Sequence, residues 1–155
     1  CYDRTMSTAS PAPSFGCTCA RLRKLTRRLT RIYDAHLAAQ AIKVTQYSLL
    51  ANAARGERSV SEFAAELEMD RSTLSRNLAP LAAQGWVDVS IGADPRSRSI
   101  GVTAAGRRKL KAALPLWRKA QCEIEAILGE AGVGELHRRI ERALAALPNP
   151  PGKRL

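Results

Sequence analysis

Leu22, Leu25, Leu29, Ile32 and Leu37 recur at helical spacing, while Arg21, Arg23, Lys24, Arg27, Arg28 and Arg31 fill the other faces. The spacing predicts a first helix over 17–39. Tyr47, Leu50 and Ala54 mark a second, read as starting after Thr45 as its N-cap and running to Gly56. A third is read as capped by Ser61, with Glu62 in the first turn, where the helix dipole favours an anion. Phe63, Ala64 and Leu67 form its apolar stripe. Asp70 caps a fourth helix, and Leu74, Leu78 and Leu81 share one of its faces. Gly85 can end it in a left-handed conformation. Pro80 lies inside this helix, where a proline costs about 3 kcal/mol. The pattern therefore predicts a kink or a loosening after Leu78, which limits the regular helix to its first two turns.

The period then changes. Val87, Val89 and Ile91 alternate with Asp88 and Ser90, as on a half-buried strand. A turn-rich tip, 92–98, leads to a return strand with Ile100 and Val102. A long helix is predicted over 103–130, bent at Pro115, and a last one over about 133–147, before Pro148, Pro150 and Pro151. Residues 1–16, rich in Ser, Thr, Pro and Ala, are expected to be a mobile arm, and 148–155 a disordered tail. The fold class is thus mainly α with a small β-hairpin wing. A winged helix-turn-helix at about 45–102 lies between helices 17–39 and 103–147.

Composition narrows the partners. The chain has 155 residues, and 45% of them are apolar, too many for a disordered chain. Lys and Arg total 25 against 14 Asp and Glu, a formal charge of +11, which favours nucleic acid or an acidic membrane surface. General solubility is the plainer account of that charge. No apolar run can span a bilayer, and the N-terminus lacks the apolar middle of a secretory signal. Cys1, Cys17, Cys19 and Cys122 are too few and too unevenly spaced for a secreted disulfide scaffold, so a reducing, cytoplasmic compartment is expected. No phosphate-binding glycine loop, zinc-protease motif or nucleophile elbow occurs; no enzyme activity and no cofactor are expected.

The helix opening at Asp70 carries Arg71, Ser72, Thr73, Ser75, Arg76 and Asn77 outside its leucine stripe. These residue types hydrogen-bond to phosphates and base edges, and a basic, hydroxyl-rich second helix is how a helix-turn-helix reads double-stranded DNA. Arg76 is the best candidate for base readout, because arginine pairs bidentately with guanine. Arg71, at the helix start, suits a phosphate. In the wing, Arg96 and Arg98 suit the negative potential of a minor groove. A solvated helix face and an exposed charge on a loop tip are the plain alternatives.

The order helix, helix, helix-turn-helix, wing, long helix, final helix resembles the MarR family of bacterial transcriptional regulators over nearly all of 17–147. Asp70-Arg-Ser-Thr-Leu-Ser-Arg-Asn-Leu78 resembles the recognition helix of one branch, and Gln84-Gly85-Trp86-Val87 its helix-to-strand turn. Asp94-Pro-Arg96 resembles the Asp-x-Arg of the wing, and Val102-Thr-Ala-Ala-Gly106 the opening of the long helix. The resemblance implies a homodimer built from the first and last two helices, reading a pseudo-palindromic operator, and expected to repress. It also implies that Asp94 orients Arg96. The apolar stripes of the terminal helices, which a small winged helix cannot cover, agree with a dimer. The Arg-rich first helix reads either as a dimer helix with snorkelling arginines or as a membrane-surface helix; the dimer reading is preferred and no membrane partner is expected.

Cys17 and Cys19 lie near the start of the first helix, where the dipole and the nearby Arg21 and Arg23 favour a thiolate. The resemblance extends to the OhrR-like branch, which senses organic hydroperoxides with a cysteine at this place. Cys19 matches that cysteine and Tyr33 a tyrosine that contacts it; a second tyrosine of the pattern falls at Val44, where this chain departs. Cys122 lies near a resolving cysteine of some of those regulators, which implies a Cys19–Cys122 bridge between subunits. Metal binding by Cys17, Cys19, Cys122 and His36 requires a non-helical 17–19 segment, because side chains two apart on a helix diverge; no metal is assigned. Small half-buried apolar thiols are the third reading. The family often binds small aromatic anions between the dimer helices and the winged helix, and Arg21, His36, Tyr47 and Trp117 are candidates to line that cleft.

Overall fold

The computed structural model describes residues 16–91 and 98–148. Its elements are α1 (Thr18–Leu37), a short 3-10 turn (Ala38–Gln40), α2 (Val44–Ala53), β1 (Arg58–Ser59), α3 (Val60–Glu66), α4 (Arg71–Ala83), β2 (Val87–Ile91), β3 (Arg98–Val102), α5 (Ala104–Leu128) and α6 (Glu130–Ala146). The mainly helical architecture with a small sheet agrees with the expected fold class.

Several boundaries correct the sequence reading. Helix α2 starts two residues earlier than Thr45 allows: Lys43 is its N-cap. The Lys43 N–H donates to Gln46 Oε1 at 2.9 Å and the Val44 N–H to Asp34 Oδ1 at 2.8 Å. Two orphan donors of the first turn are thus satisfied without a capping hydroxyl. The cap of α3 is Ser59, not Ser61. Ser59 Oγ accepts the Glu62 N–H at 3.1 Å, and Glu62 Oε2 accepts the Ser59 N–H at 2.9 Å, a reciprocal capping box. Helix α4 does not stop after Leu78 but runs through Pro80 to Ala83. The proline removes one ladder bond, to the Arg76 carbonyl, on a face exposed at both residues, where water can replace it. Pro115 likewise lies inside α5 without ending it. The predicted helix 103–130 breaks at Gly129, whose φ of 76° leaves the helical region, and α6 begins at Glu130 rather than near 133.

The wing is a three-stranded antiparallel sheet in the order β1-β3-β2, one strand more than a hairpin. Val87 faces Val102, Val89 faces Ile100, and Arg58 of β1 pairs with Ile100 from the other side. Phe63, Leu37, Leu50, Leu74, Leu81 and Ile100 are fully buried. One core therefore joins the end of α1 to α2, α3, α4, the sheet and, through Ala113, α5.

Polar and close backbone contacts also tie the start of α5 to the winged helix. Gly85, at φ 67°, closes α4: its N–H donates to the Ala82 carbonyl at 2.9 Å and the Trp86 N–H to the Leu81 carbonyl at 2.9 Å. Thr103, the N-cap of α5, donates its hydroxyl to the Gly85 carbonyl at 2.6 Å and accepts the Gly106 N–H at 3.0 Å. A Cβ at Gly106 would overlap the Trp86 carbonyl and Val102 Cγ1, so this start of the long helix requires glycine. Further along, Lys109 Nζ donates to the Gln40 carbonyl at 2.5 Å and lies 4.8 Å from the centre of the Trp86 ring.

Candidate nucleic-acid interface

The helix-turn-helix is held from beneath. Phe63 and Ala64 of α3, with Leu74, Leu78 and Leu81 of α4, are buried in the common core. The turn between them is left-handed at Glu68, φ 52°. There the Glu68 N–H reaches the Ala65 carbonyl at 3.1 Å and the Met69 N–H the Ala64 carbonyl at 2.8 Å. This is the hydrogen-bond pattern usually closed by glycine, here with glutamate. The half-buried Arg58 guanidinium braces the same unit: it pairs with Glu66, reaches the Asn52 carbonyl at 3.3 Å, and lies 5.4 Å from the Phe63 ring centre.

With the leucines inward, Ser72 and Arg76, four apart, lie on the opposite, outward side of α4, and both are exposed. Asp70 caps the helix. Its Oδ1 accepts the Thr73 N–H at 2.8 Å and the Ser72 hydroxyl at 2.5 Å; its Oδ2 accepts the Thr73 hydroxyl at 2.8 Å. These bonds, the Ser72 one foremost, hold the Asp70 carboxyl far below the usual carboxylate range, so it is ionised at any physiological pH. Arg76 Nη2 donates to Thr73 Oγ1 at 3.2 Å. Asn77 Nδ2 makes only a long contact, 4.0 Å, to the Met69 sulfur.

Arg71 and Ser75 lie on the flank facing the wing. With Arg98 of β3, Ser59, Ser61 and Val89 they line an open groove of about 570 Å³ between α4 and the sheet. The structure therefore brings Arg71, Ser75 and Arg98 together, and sets Ser72, Thr73 and Arg76 beside them on one helix. Asp94 and Arg96 lie outside the described residues. Sequence reasoning took Asp70 only as a cap and passed over Arg58; hydroxyl residues two and three positions after Asp70 were the one available signal for the first.

The remaining candidates lie along α1 and α5. Cys17 is the N-cap of α1, its Sγ accepting the Ala20 N–H at 3.4 Å. Cys17, Cys19 and Cys122 are free, exposed thiols. Tyr33 donates its hydroxyl to Gln121 Oε1 at 2.5 Å, and its ring stacks on Trp117 with centroids 6.1 Å apart. Tyr47 stacks on the same Trp117 at 6.1 Å. Burial foremost raises both tyrosine pKa values. Tyr33 thus places the Gln121–Cys122 level of α5 beside its own turn, and Cys19 lies fourteen residues earlier, about 21 Å along α1. A disulfide needs Cα atoms within about 7 Å. A Cys19–Cys122 bridge within one chain is therefore excluded.

Of the candidate cleft residues, Tyr47 and Trp117 pack together. His36 pairs with Glu123 at 2.7 Å, and Arg21 lies three helical turns before Tyr33. A second groove, about 420 Å³, is lined by Asp34, Ala38, Ala41, Ile42, Lys43 and Gln46 and includes none of the four. Among the described residues no three His, Cys, Asp or Glu side chains gather in a way that could hold a metal ion. Nor, among them, is any helix long and apolar enough to cross a membrane.

A cationic, hydroxyl-bearing helix braced on a buried partner, with an arginine-bearing sheet beside it, defines a DNA-binding winged helix-turn-helix. A sequence model of the MarR family matches residues 42–97. The transcriptional regulator MosR of M. tuberculosis, solved in complex with DNA, is 37% identical, with 84% of this chain and 97% of that one covered and a TM-score of 0.73. The chain belongs to the MarR family of DNA-binding transcriptional regulators. The same fold is found in a mutant of E. coli MarR complexed with operator DNA, at 20% identity over 81% of this chain and 92% of that one, TM-score 0.73. It is found again in Bordetella bronchiseptica BpsR, at 18% identity over 88% of this chain and all of that one, TM-score 0.75. No curated protein matches the sequence.

Proposed function

We propose that the protein is a sequence-specific repressor. It acts in the cytoplasm as a homodimer on a pseudo-palindromic operator and is released by a small ligand or by cysteine oxidation. The observation that carries this reading is the outward pair Ser72 and Arg76 on α4, with Arg71 beside them on the same helix and Arg98 across a groove, in a chain 37% identical to a regulator solved with DNA. Arg76 is the base-reading residue; Ser72, Thr73, Ser75 and Asn77 contact the DNA beside it; Arg71 and Arg98 contact phosphates or the minor groove, and so does Arg96, oriented by Asp94. In a twofold dimer two such helices enter successive major grooves. Helices α1, α5 and α6 form the dimer body around a central winged helix; the exposed Ile127, Leu144 and Leu147 support that division.

The test is a titration of the full chain against random and selected duplexes over a salt series. The expected result is one pseudo-palindrome preferred by about a thousandfold or more. Arg76→Ala should flatten preference at one position per half-site, about tenfold. Equal affinity for all duplexes, or tighter binding to anionic vesicles, overturns the reading.

Two effector classes are supported. BpsR's DNA binding is regulated by 6-hydroxynicotinic acid, which suggests a small aromatic acid for this chain as well. The exposed thiols Cys17, Cys19 and Cys122 support a hydroperoxide. If oxidation joins Cys19 to Cys122 of a second subunit, non-reducing electrophoresis after peroxide treatment shows a covalent dimer that Cys122→Ser abolishes. A chain that stays monomeric on that gel rejects the bridge.

A further inference from the structure

Asp70 accepts more than a helix cap requires. Capping needs one side-chain oxygen for one backbone N–H. Asp70 takes the Thr73 N–H and, in addition, both hydroxyl protons of the first turn, from Ser72 and Thr73. A hydroxyl has one proton and two lone pairs. With their protons committed to a carboxylate, Ser72 and Thr73 offer only lone pairs to any other group. Thr73 Oγ1 already accepts from Arg76 Nη2 at 3.2 Å. Ser72, on the outward side of the helix four residues before Arg76, is left as an acceptor facing away from the protein.

An acceptor does not match a phosphate oxygen, which also accepts. It does match the amino groups that adenine N6 and cytosine N4 present in the major groove. We propose that Asp70 is a positioning residue for base selection: it fixes Ser72 as an acceptor that selects an amino-bearing base, adenine or cytosine, and through Thr73 it aims Arg76 at guanine. The proposal rests on the reading that α4 enters the major groove. It gives the carboxylate a reason to be there, since a negative charge beside DNA costs phosphate affinity.

Asp70→Asn separates the cap from the selector. Asparagine caps as well as aspartate, but it has no charge and a single acceptor oxygen. Binding-site selection followed by position-scanned duplexes, with the full chain, should show for the wild type one preferred A or C and one preferred G per half-site. Asp70→Asn should lose the A or C preference by about tenfold and bind random duplexes more tightly, with unchanged helix content. Ser72→Ala, which leaves the cap intact, should lose the same preference, so the test stands even if Asp70→Asn folds poorly. Thr73→Val should weaken the guanine preference and leave the A or C preference, and Thr73→Ser should restore it. If Asp70→Asn and Ser72→Ala keep the wild-type preference at every position, Asp70 is only a cap and the proposal is overturned. A wild type with no preferred duplex overturns the regulator reading and this proposal with it.

Discussion

The reading head and the outer helices are stabilised differently. From Leu37 to Ile100, joined by Ala113 of α5, the chain buries one connected set of side chains: Leu50, Phe63, Leu74 and Leu81 are fully out of water. Helix α6, seventeen residues long, buries only Val133. Leu144 and Leu147 keep 54% and 67% of their surface exposed, and Ile127 of α5 keeps 64%. The head is complete within one chain, whereas the free ends of α5 and α6 carry apolar surface that one chain does not cover, as a dimer body would. Leu144→Lys with Leu147→Lys should break this comparison most forcefully. Sedimentation should show a monomer, and affinity for the selected palindrome should fall about a hundredfold as avidity is lost, while the head still melts cooperatively. A double variant that stays dimeric places the interface elsewhere.

The seam between the two regions gives the next effect. At Gly106 a methyl group would meet the Trp86 carbonyl, which is backbone and cannot rotate away. Gly106→Ala should destabilise by about 1–3 kcal/mol, the usual range for overpacking. Because Thr103 and Gly106 hold the Gly85–Trp86 turn, the loss should be shared by head and long helix. It should appear as a lower Tm in a single transition. Two separate transitions would show that the seam does not couple them. A smaller effect lies inside the head: Ser59→Ala removes the hydroxyl that caps α3 and should cost about 1 kcal/mol, where Ser61→Ala should be nearly silent.

These contrasts also mark what the sequence displayed. The leucine stripe of α4 and the alternation at Val87, Val89, Ile100 and Val102 were legible because burial imposes a period. The Gly85 ending was legible because its left-handed turn favours glycine. Ser59 was missed because Ser61 and Glu62 made an equally plausible start, and only hydrogen bonding distinguishes the two. The turn at Glu68 carries no glycine signal at all. Strand β1, two residues long, has no room to alternate. Pro80 misled because propensity assigns a proline a cost without knowing that the missing bond faces solvent. On the candidate interface the residue types at 71–77 could be read directly. The proton bookkeeping around Asp70 could not, because it depends on which oxygen faces which hydroxyl. Nor did spacing show that Tyr33 and Tyr47 would both stack on Trp117.

The finest version of the comparison is electrostatic. Glu62 in the head and Glu135 in α6 both titrate below the ordinary glutamate value, for different reasons. Glu62 is held down by the Ser59 backbone N–H first and the Ser59 hydroxyl second. Glu135 is held down by hydrogen bonds from Arg139 first and Arg138 second, at 2.6 and 2.7 Å, on exposed side chains. In both cases the folded pKa lies below the unfolded one. Each contribution is therefore complete above about pH 4.3, the unfolded value, and is lost as pH falls through the depressed folded value. Salt should separate them. An exposed ion pair is screened at high ionic strength, whereas a fixed backbone donor is not. NMR titration of the two carboxyl groups at low and at 1 M salt should show Glu135 rising toward the ordinary value while Glu62 stays low. In Ser59→Ala, Glu62 should rise at either salt concentration. Equal movement of both groups with salt would mean that the capping box is as loosely held as the helix surface, and the head would then lose its distinction at its own first turn.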